Sequence, residues 1–416
     1  MTVVDGVVTM STSVAPFAVP TIHRLPAPVI SPKPGCAWAD TMVLNPAILQ
    51  DPEQPDTYHM LFRATGPWPQ AQQEGQPLPY PIFLGYAVSH DAGMTWTADF
   101  SRPALQPALA RTIEGIYLTR ADGRRVVNHA NGCIEDPRWF WMEGKLLLIC
   151  PCRMFSPGPY WEHDEPMQCA PAWARAGQHS LGTAAHENVT VNVLFEVDLE
   201  ALRGGHYDRA FHYRTHLTNP DWGEDRDVFP FPERLQVDGR PQVVMLQRPF
   251  TPSRIPGQRE PLPSIYLSWG EDLDQFPAPA ERLQFLARPT FPWEQERLGA
   301  STPPLRIGTG RWLLPYHGKE NKVKGYSQSF MILEEQADGL PVIVHRANIP
   351  WFRAEAPWEQ PNRFTTPCVF TTAVILDRGR LVMSYGAADE RCGIAWTDAE
   401  ELIRLVERFD ADGRLA

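Results

Sequence analysis

The sequence has no apolar run long enough to cross a membrane, no lysine-rich tract and few stretches with helical periodicity. Its net charge of −11 argues against nucleic acid and anionic membrane surfaces as partners, because both are bound through clustered basic residues. At 416 residues, 43% hydrophobic and 21% charged, the chain is globular and can bury a large core. We therefore expect a globular protein with no nucleic-acid and no membrane partner.

Cysteines are few. The seven thiols are an odd number and lie scattered along the chain, which is not a disulfide framework and fits a reducing cytoplasm. Cys150 and Cys152 are too close-set for a tetrahedral zinc pair, and no second pair matches them. The first 20 residues contain Asp5 and no lysine or arginine, so we expect no signal peptide and a cytoplasmic protein.

Turn-forming residues, in contrast, are abundant, with 43 prolines and 29 glycines. Together with the scarcity of helical periodicity, they favour β structure. Residues 1–35 are proline-rich, and we interpret them as an extended arm on a single domain of residues 36–416. One short helix is predicted at residues 398–406, with Asp398 as its N-cap and Glu401 at the capping-box position.

A unit recurs five times after the arm: a polar residue and a proline, a short apolar strand, a turn, and a second apolar strand ending in polar groups. Four of the five turns place glycine before lysine or arginine, a hairpin signal. Five such units predict a five-bladed β-propeller, in which each blade buries its faces against its neighbours. A β-sandwich is the structural rival, but a sandwich has no reason to repeat one signature five times. The marking prolines are Pro46, Pro137, Pro232, Pro304 and Pro367.

If the copies are equivalent, polar groups from several blades converge on one axial funnel, the default place for a binding site. Arginines there suit an anion or a network of sugar hydroxyls; the alternative is that they are solvated or paired locally. The matching places on the inner strands would be held by Asn45, Asp136, Phe231, Pro303 and Thr366. The second strands would end with Arg63, Arg153, Arg248 and His317.

Two adjacent carboxylates, Glu135 and Asp136, stand between Gly132 and Pro137. Proline biases the preceding residue toward an extended conformation, so we expect Asp136 to be extended at the mouth of a strand. A carboxylate held there, with Arg138 two residues on, is a candidate acid for sugar chemistry. The alternative is a structural turn whose acid pairs with its own arginine.

Two other segments carry motifs. Residues 89–96 fit the pattern S-x-D-x-G-x-T-W, a hairpin turn of propeller blades in which the aspartate caps the turn. Residues 154–190 are long and irregular, which predicts a loop over one face of the propeller. A metal site of His163, Asp164 and His186 is conceivable in this loop, but no ligand spacing is diagnostic, and we expect no metal.

From about residue 36 onward the chain resembles glycoside hydrolase family 130, the β-mannoside phosphorylases and related mannosidases. Many ordered motifs carry the likeness, which makes it specific for the family though not for a substrate. The resemblance implies a five-bladed propeller, in agreement with the repeats. The motifs are Asn45-Pro46, Leu61-Phe62-Arg63-Ala64, Gly132 through Arg138, Arg226-Asp227, Phe231-Pro232-Glu233, Arg248-Pro249, Trp293-Glu294, Pro303-Pro304-Leu305, Tyr316-His317-Gly318 and Tyr385-Gly386-Ala387-Ala388-Asp389.

The resemblance implies inverting cleavage of β-mannosides, with inorganic phosphate as the nucleophile and mannose 1-phosphate as the product. Asp136 would be the acid and would act through a sugar hydroxyl, unlike the usual pair of carboxylates that flank the bond. No cofactor is implied beyond phosphate as a co-substrate. Substrate-binding roles fall to Asn45, Arg63, Glu135, Arg138, His317 and Asp389, and phosphate-binding roles to Arg153, Arg226 and Arg248.

The chain also departs from the family pattern. Gln247 stands where the family has histidine, and Thr190 to Leu194 include no arginine of the kind that phosphorylases use for phosphate. A hydrolase with the same acid is therefore the alternative, with Glu162, Glu165 or Glu187 as a base for water. A non-catalytic sugar-binding propeller is the second alternative, although a binding module needs no positioned acid. The expected partners are a β-linked manno-oligosaccharide or mannosyl sugar and phosphate, and a homo-oligomer is left open.

Overall fold

The computed structural model describes residues 18–67, 72–73, 76–77, 81–107, 117–119, 123, 125–127, 130, 132–154, 189–337, 339–362 and 366–415. The residues named for a metal site and for a hydrolytic base lie outside these ranges, namely Glu162, His163, Asp164, Glu165, His186 and Glu187.

Strands make up most of the regular structure. The first part of the described chain forms β1 (His23–Arg24), β2 (Met42–Gln50), β3 (Tyr58–Thr65), β4 (Gln72–Gln73), β5 (Gln76–Pro77), β6 (Ile82–Ser89), β7 (Thr97–Asp99), β8 (Tyr117–Thr119) and β9 (Arg125–Val127). The middle part forms β10 (Cys133–Ile134), β11 (Arg138–Met142), β12 (Lys145–Arg153), β13 (Val191–Val197), β14 (Phe211–His216), β15 (Asp225–Pro230), β16 (Leu235–Val237), β17 (Arg240–Pro249), β18 (Ile265–Gly270) and β19 (Leu283–Ala287). The last part forms β20 (Arg297–Ala300), β21 (Leu305–Gly308), β22 (Arg311–Lys319), β23 (Tyr326–Gln336), β24 (Gly339–Arg346), β25 (Phe352–Arg353), β26 (Val369–Asp377), β27 (Arg380–Ala387) and β28 (Arg391–Asp398).

Helices are short. Two α-helices are described, α1 (Leu199–Arg203) and α2 (Ala399–Val406). The prediction of a C-terminal helix is confirmed, and Asp398 caps it by accepting a hydrogen bond from the Glu401 amide at 2.8 Å. Among the described residues, no helix has the length and apolarity to cross a bilayer. Single 3-10 turns lie at Tyr207–Arg209, Pro220–Trp222, Pro252–Arg254, Leu273–Gln275, Ala280–Arg282, Pro292–Glu294 and Pro357–Glu359.

The predicted all-β class is confirmed, because the strands pair into five antiparallel meanders. Their orders are β2-β3-β6-β7, β10/β11-β12-β13-β14, β15/β16-β17-β18-β19, β20/β21-β22-β23-β24 and β26-β27-β28-β1. A single parallel bridge, Cys133 to Ile82, joins the first two meanders into one sheet. The hairpins β4–β5 and β8–β9 stand apart.

The hairpin turns follow the glycine signal in the sequence. Glu143-Gly144, Asp238-Gly239 and Arg378-Gly379 each have positive φ at both residues, from 50° to 77°. Two consecutive positive φ angles define the two-residue turn whose twist matches that of the flanking strands. These turns join β11 to β12, β16 to β17 and β26 to β27.

An irregularity interrupts the first strand of each meander. The pairing of β2 with β3 shifts between Leu44 and Ala47, and that of β15 with β17 shifts between Arg226 and Phe229. Asp136 stands in the gap between β10 and β11. Such bulges re-aim a side chain out of the regular alternation of a strand.

The bulges correct two predictions. The place equivalent to Asn45 and Asp136 is held by Asp227 in the third meander, whereas Phe231 is fully buried and packs edge-on against Trp312. In the fourth meander the irregularity covers residues 301–304, which include Pro303. In the fifth meander it lies at Thr372, so Thr366 is not the matched polar position. The extended conformation expected for Asp136 is wrong, because its φ is 36°.

The N-terminal segment is hydrogen-bonded into the last sheet. In β1, His23 and Arg24 pair with Trp396 and Ala395 of β28. Farther along, the Val29 amide donates to the Cys392 carbonyl at 2.8 Å. The first and last described strands of the chain therefore share one sheet, while the division at residue 35 stays a prediction.

Candidate active site

A cavity of about 340 Å³ opens where the bulged strands meet. It brings together seven residues predicted for the site: Asn45, Arg63, Asp136, Arg153, Arg226, Arg248 and Asp389. Seven residues not assigned a role from the sequence complete the lining: Glu224, Asp227, Phe250, Arg297, Tyr326, Cys368 and Phe370. The other three predicted residues, Glu135, Arg138 and His317, are buried behind this lining.

Asp136 is the carboxylate that the first two meanders place together. Its Oδ1 accepts hydrogen bonds from Asn45 Nδ2 at 2.7 Å and from Arg63 Nη1 at 3.1 Å. Its Oδ2 lies 3.7 Å from Arg226 Nη1. Arg138 does not pair with this carboxylate and instead donates to the Asp136 backbone carbonyl at 2.6 Å. One face of Asp136 is thus held in place while Oδ2 stays available to the cavity.

The backbone explains how these side chains reach the cavity. Asn45, Asp136 and Asp227 have φ angles of 47°, 36° and 56°. Asparagine and aspartate tolerate this left-handed region better than other residues with a Cβ, although it still stores strain. Each bulge therefore turns a short polar side chain away from the regular pleat.

Glu135 neutralises two arginines beneath the cavity floor. Its Oε2 lies 2.9 Å from Arg226 Nη1 and 3.2 Å from Arg63 Nη1. Burial alone would raise the pKa of Glu135, but the charges of Arg63, Arg226 and Arg153 outweigh burial and hold that pKa well below its usual range. Glu135 is therefore ionised and locked into ion pairs.

Glu224 likewise neutralises two arginines, at the rim of the cavity. It accepts from Arg226 Nε at 2.7 Å and from Arg153 Nη2 at 3.3 Å. Burial opposes ionisation, yet the arginines lower the pKa of Glu224 to about 2. Arg153 and Arg226, which come from different meanders, thus meet on one carboxylate.

Asp227 organises a second buried cluster. It accepts from Arg248 Nε at 2.6 Å and from Arg138 Nη2 at 3.3 Å, and His317 Nε2 lies 3.4 Å away. Despite burial, which acts in the other direction, the pKa of Asp227 is lowered to about 2 by Arg248, by the adjacent His317 ring and by Arg138. A Cβ at Gly299 would lie 2.4 Å from Asp227 Oδ2, so only glycine allows this close approach.

His317 has a defined tautomer. Gln328 Nε2 donates to the Val369 carbonyl, so Gln328 Oε1 accepts from Ser301 Oγ at 2.8 Å. Because the Ser301 proton is used there, His317 Nδ1 must donate to Ser301 Oγ, at 3.1 Å. Burial lowers the pKa of His317 to about 3, so the imidazole is neutral at physiological pH.

Asp389 differs from the other cavity carboxyls. Burial raises its pKa, and the neighbouring charge of Arg63 only partly offsets that rise. Burial therefore makes Asp389 easier to protonate than an exposed aspartate.

Sequence reasoning missed the aromatic and basic side of the cavity. Phe250 directly follows the Arg248-Pro249 motif, and Arg297 lies three residues after Trp293-Glu294. Proximity to those motifs was a usable signal for both. Tyr326 and Phe370 carried no comparable motif, and packing of different meanders brings them in.

No group of three or more histidine, cysteine, aspartate or glutamate side chains within the described ranges could hold a metal ion. The cavity is instead lined by the carboxyl groups of Asp136 and Asp389 and by five arginines, listed above. Arginines recognise oxyanions and hydroxyl-rich ligands through charge-assisted hydrogen bonds. Fold and cavity together define an all-β protein with a polar, arginine-rich cavity whose chemistry suits oxyanions.

Comparisons with known proteins agree. A family profile described as beta-1,4-mannooligosaccharide phosphorylase matches residues 234–408. A 1,2-beta-oligomannan phosphorylase from Thermoanaerobacter sp. is 22% identical over 90% of this chain and 96% of its own length. A beta-1,4-mannooligosaccharide phosphorylase from Ruminococcus albus is 27% identical over 29% of this chain and 36% of its own length. The fold is similar to that of a beta-1,2-mannobiose phosphorylase from Listeria innocua, with a TM-score of 0.61 and 17% identity over 93% of this chain and 99% of that one.

These matches confirm the resemblance to glycoside hydrolase family 130. Over most of its length the chain is accordingly similar to proteins described as glycoside phosphorylases.

Proposed function

We propose that the protein cleaves β-mannosidic bonds with inversion by phosphorolysis, releasing mannose 1-phosphate. The observation that carries the proposal is the single cavity in which Asp136 faces a set of arginines. Phosphorolysis needs both an acid for the leaving oxygen and donors that hold the phosphate, and the cavity offers both. The two curated relatives, both phosphorylases by description, support the same reaction.

We also propose that the five meanders are the blades of a five-bladed propeller. Hydrogen bonds between the meanders support a closed ring. They join the first meander to the second, and the second to both the third and the fourth. They also join the fourth meander to the fifth, and the fifth back to the first. The contacts are Asn45 to Asp136, Arg138 to Asp227 and to the Ser301 carbonyl, Gln328 to the Val369 carbonyl, and Thr372 to the Pro46 carbonyl.

In the proposed reaction, a phosphate oxygen forms a bond to the anomeric carbon while the bond from that carbon to the glycosidic oxygen breaks. Asp136 supplies the proton that the departing oxygen takes up, through a hydroxyl of the mannose. Asn45 and Arg63 hold Asp136 Oδ1, so Oδ2 is the oxygen that meets the sugar. Asp389 donates to a second sugar hydroxyl, and the cavity arginines hold the phosphate.

The described carboxylates favour phosphorolysis over hydrolysis. A general base for water works best with a pKa near the operating pH. The pKa values of Glu224 and Asp227 are both about 2, far below that pH. Glu224 and Asp227 are also tied to arginines, whereas a phosphate nucleophile needs no strong base.

The substrate partner we propose is a β-linked manno-oligosaccharide or mannosyl sugar together with inorganic phosphate, with cytoplasmic localisation.

Product identity tests the proposal. The full chain is incubated with a panel of β-linked mannosides, with and without inorganic phosphate, and the products are identified by NMR. We expect mannose 1-phosphate only when phosphate is present. Free mannose at equal rates in both arms would replace the proposal with hydrolysis, and no product from any mannoside would contradict the sugar specificity.

A further inference from the structure

The five cavity arginines fall into two groups. Arg153 and Arg226 converge on Glu224, and Arg226 and Arg63 share Glu135 and Asp136. Three guanidinium groups on this side thus face three carboxylates, two of which, Glu135 and Glu224, have lowered pKa values. The positive charge on this side of the cavity is therefore balanced by carboxylates of the protein itself.

The opposite side is built around one aromatic ring. The guanidinium carbon of Arg248 lies 4.7 Å from the centroid of the Phe250 ring, and that of Arg297 lies 4.9 Å from the same centroid. Arg248 comes from β17 and Arg297 from β20, so the ring of Phe250 positions cations from two meanders. We refer to Arg248, Phe250 and Arg297 as the Phe250 wall; all three residues line the cavity.

The Phe250 wall is short of negative charge. Asp227, the partner of Arg248, is shared with Arg138. Glu296 is 3.7 Å from Arg297 and is shared with Lys319, at 2.8 Å. Four cations on this side are therefore ion-paired with two carboxylates. A third carboxyl group, Asp225, accepts from the Arg248 amide, and burial raises its pKa well above its usual range. Neutral His317 adds no charge. Two guanidiniums on one ring repel each other unless an anion lies between or beside them.

The Phe250 wall also has buried hydrogen-bond donors with no acceptor among the described residues. Within the described part of the chain, Arg248 Nη1 and Arg297 Nε are buried without a hydrogen-bond partner. The Arg248 side chain is only 4% exposed. A buried donor without a partner is costly, and here the donors belong to residues that line a cavity large enough for a ligand.

We propose that the Phe250 wall is an oxyanion subsite, and that Arg297 is a binding residue in it. Its ligand is a phosphate or carboxylate group that spans Arg248 and Arg297. This inference rests on the proposed function, because the proposed reaction supplies two sources of such a group. One source is the inorganic phosphate nucleophile, and the other is an acidic substituent carried by the sugar.

The test measures binding without turnover. Isothermal titration of the full chain with inorganic phosphate, mannose and mannose 6-phosphate is repeated with Arg297→Gln. The matched control is Arg288→Gln, since Arg288 also lies over a phenylalanine, Phe285, at 5.1 Å, but its side chain is 60% exposed outside the cavity. We expect the control to match the wild type. Arg297→Lys, which keeps the charge, substitutes if Arg297→Gln lowers the unfolding midpoint.

Loss of a charge-assisted donor should weaken anion binding about tenfold or more. If Arg297→Gln weakens phosphate binding by that factor, the wall holds the nucleophile. If phosphate binding is unchanged and only mannose 6-phosphate loses its advantage over mannose, the wall holds an acidic sugar group. An unchanged affinity for both anions overturns the inference.

The two proposals fail separately. If mannose 1-phosphate forms only with phosphate and Arg297→Gln leaves the anion affinity unchanged, the proposed function holds and the proposed subsite is wrong. If anion binding depends on Arg297 but no mannoside is cleaved, the subsite holds and the proposed function is wrong.

Discussion

At the scale of single residues, two carboxyl groups in one cavity have different surroundings. Asp136 accepts from two donors, Asn45 and Arg63, on one oxygen. Burial raises the pKa of Asp389, which lies on the same cavity. Replacement by asparagine, which has nearly the same shape as the carboxyl group but cannot supply a proton as an acid, separates the roles of the two residues.

Asp136→Asn should lower kcat/KM for phosphorolysis by about 10²–10⁴-fold, the usual contribution of a positioned acid. Asp389→Asn should lower kcat/KM by less than about tenfold, because the amide keeps a hydrogen-bonding group of the same shape and removes no acid from the proposed reaction. Initial rates of mannose 1-phosphate formation measure both effects, and thermal unfolding checks that both variants fold. An equal loss in the two variants would contradict the assignment of the acid to Asp136 alone.

At the scale of elements, the C-terminal helix shows how a local signal and a packed face combine. Asp398 caps α2, and Leu402, Leu405 and Val406 on one of its faces are buried. A helix of eight residues has little stability alone. Packing therefore holds α2, and the cap adds to that stability.

Asp398→Ala should lower the free energy of unfolding by about 1 kcal/mol, because it removes the bond from the Glu401 amide. Asp398→Ser should retain most of that stability, since serine is also a good N-cap. Chemical denaturation measures the difference, and activity should be unchanged in both. If serine is as destabilising as alanine, the aspartate acts through something other than capping.

At the scale of the whole molecule, the buried site makes stability depend on pH. His317 is packed among Asp227, Arg248, Arg138 and Arg297, and burial lowers its pKa from 6.5 to about 3. Between these two values the unfolded chain binds a proton that the folded chain does not. The free energy of unfolding therefore falls as pH falls through this window.

His317→Gln should reduce the pH dependence of stability between pH 6.5 and 5. One proton corresponds to about 1.4 kcal/mol per pH unit at most. Denaturation of the wild type and the variant at several pH values gives the two slopes, and the other histidines contribute equally to both. Identical slopes would mean that His317 is charged in the folded protein.

Glu224 and Asp227 act in the same direction at lower pH. Their pKa values are lowered to about 2 from 4.5 and 3.8, so the stability they contribute is present above those ordinary values and is lost as pH falls toward 2. Acid should therefore unfold the protein first through His317 and then through these carboxylates.

Local chemistry decided much of this structure. Glycine after a polar residue specifies the turns at Gly144, Gly239 and Gly379, since each needs a positive φ. Alternating apolar runs specify the strands, and Asp398 specifies the start of α2. The motifs around Asn45, Arg63 and Asp136 located the cavity because their chemistry lies in contiguous residues.

Only the tertiary structure decided the bulges and the partners across them. The bulge that turns Asp227 rather than Phe231 toward the site depends on strand register, which no short segment of sequence contains. Arg248 and Arg297 both lie over the Phe250 ring although they belong to different sheets. The Arg138 side chain pairs with the carboxylate of Asp227, not with that of its sequence neighbour Asp136. Turns and strands follow from interactions within a few residues, whereas charge compensation in a cavity depends on how distant strands pack.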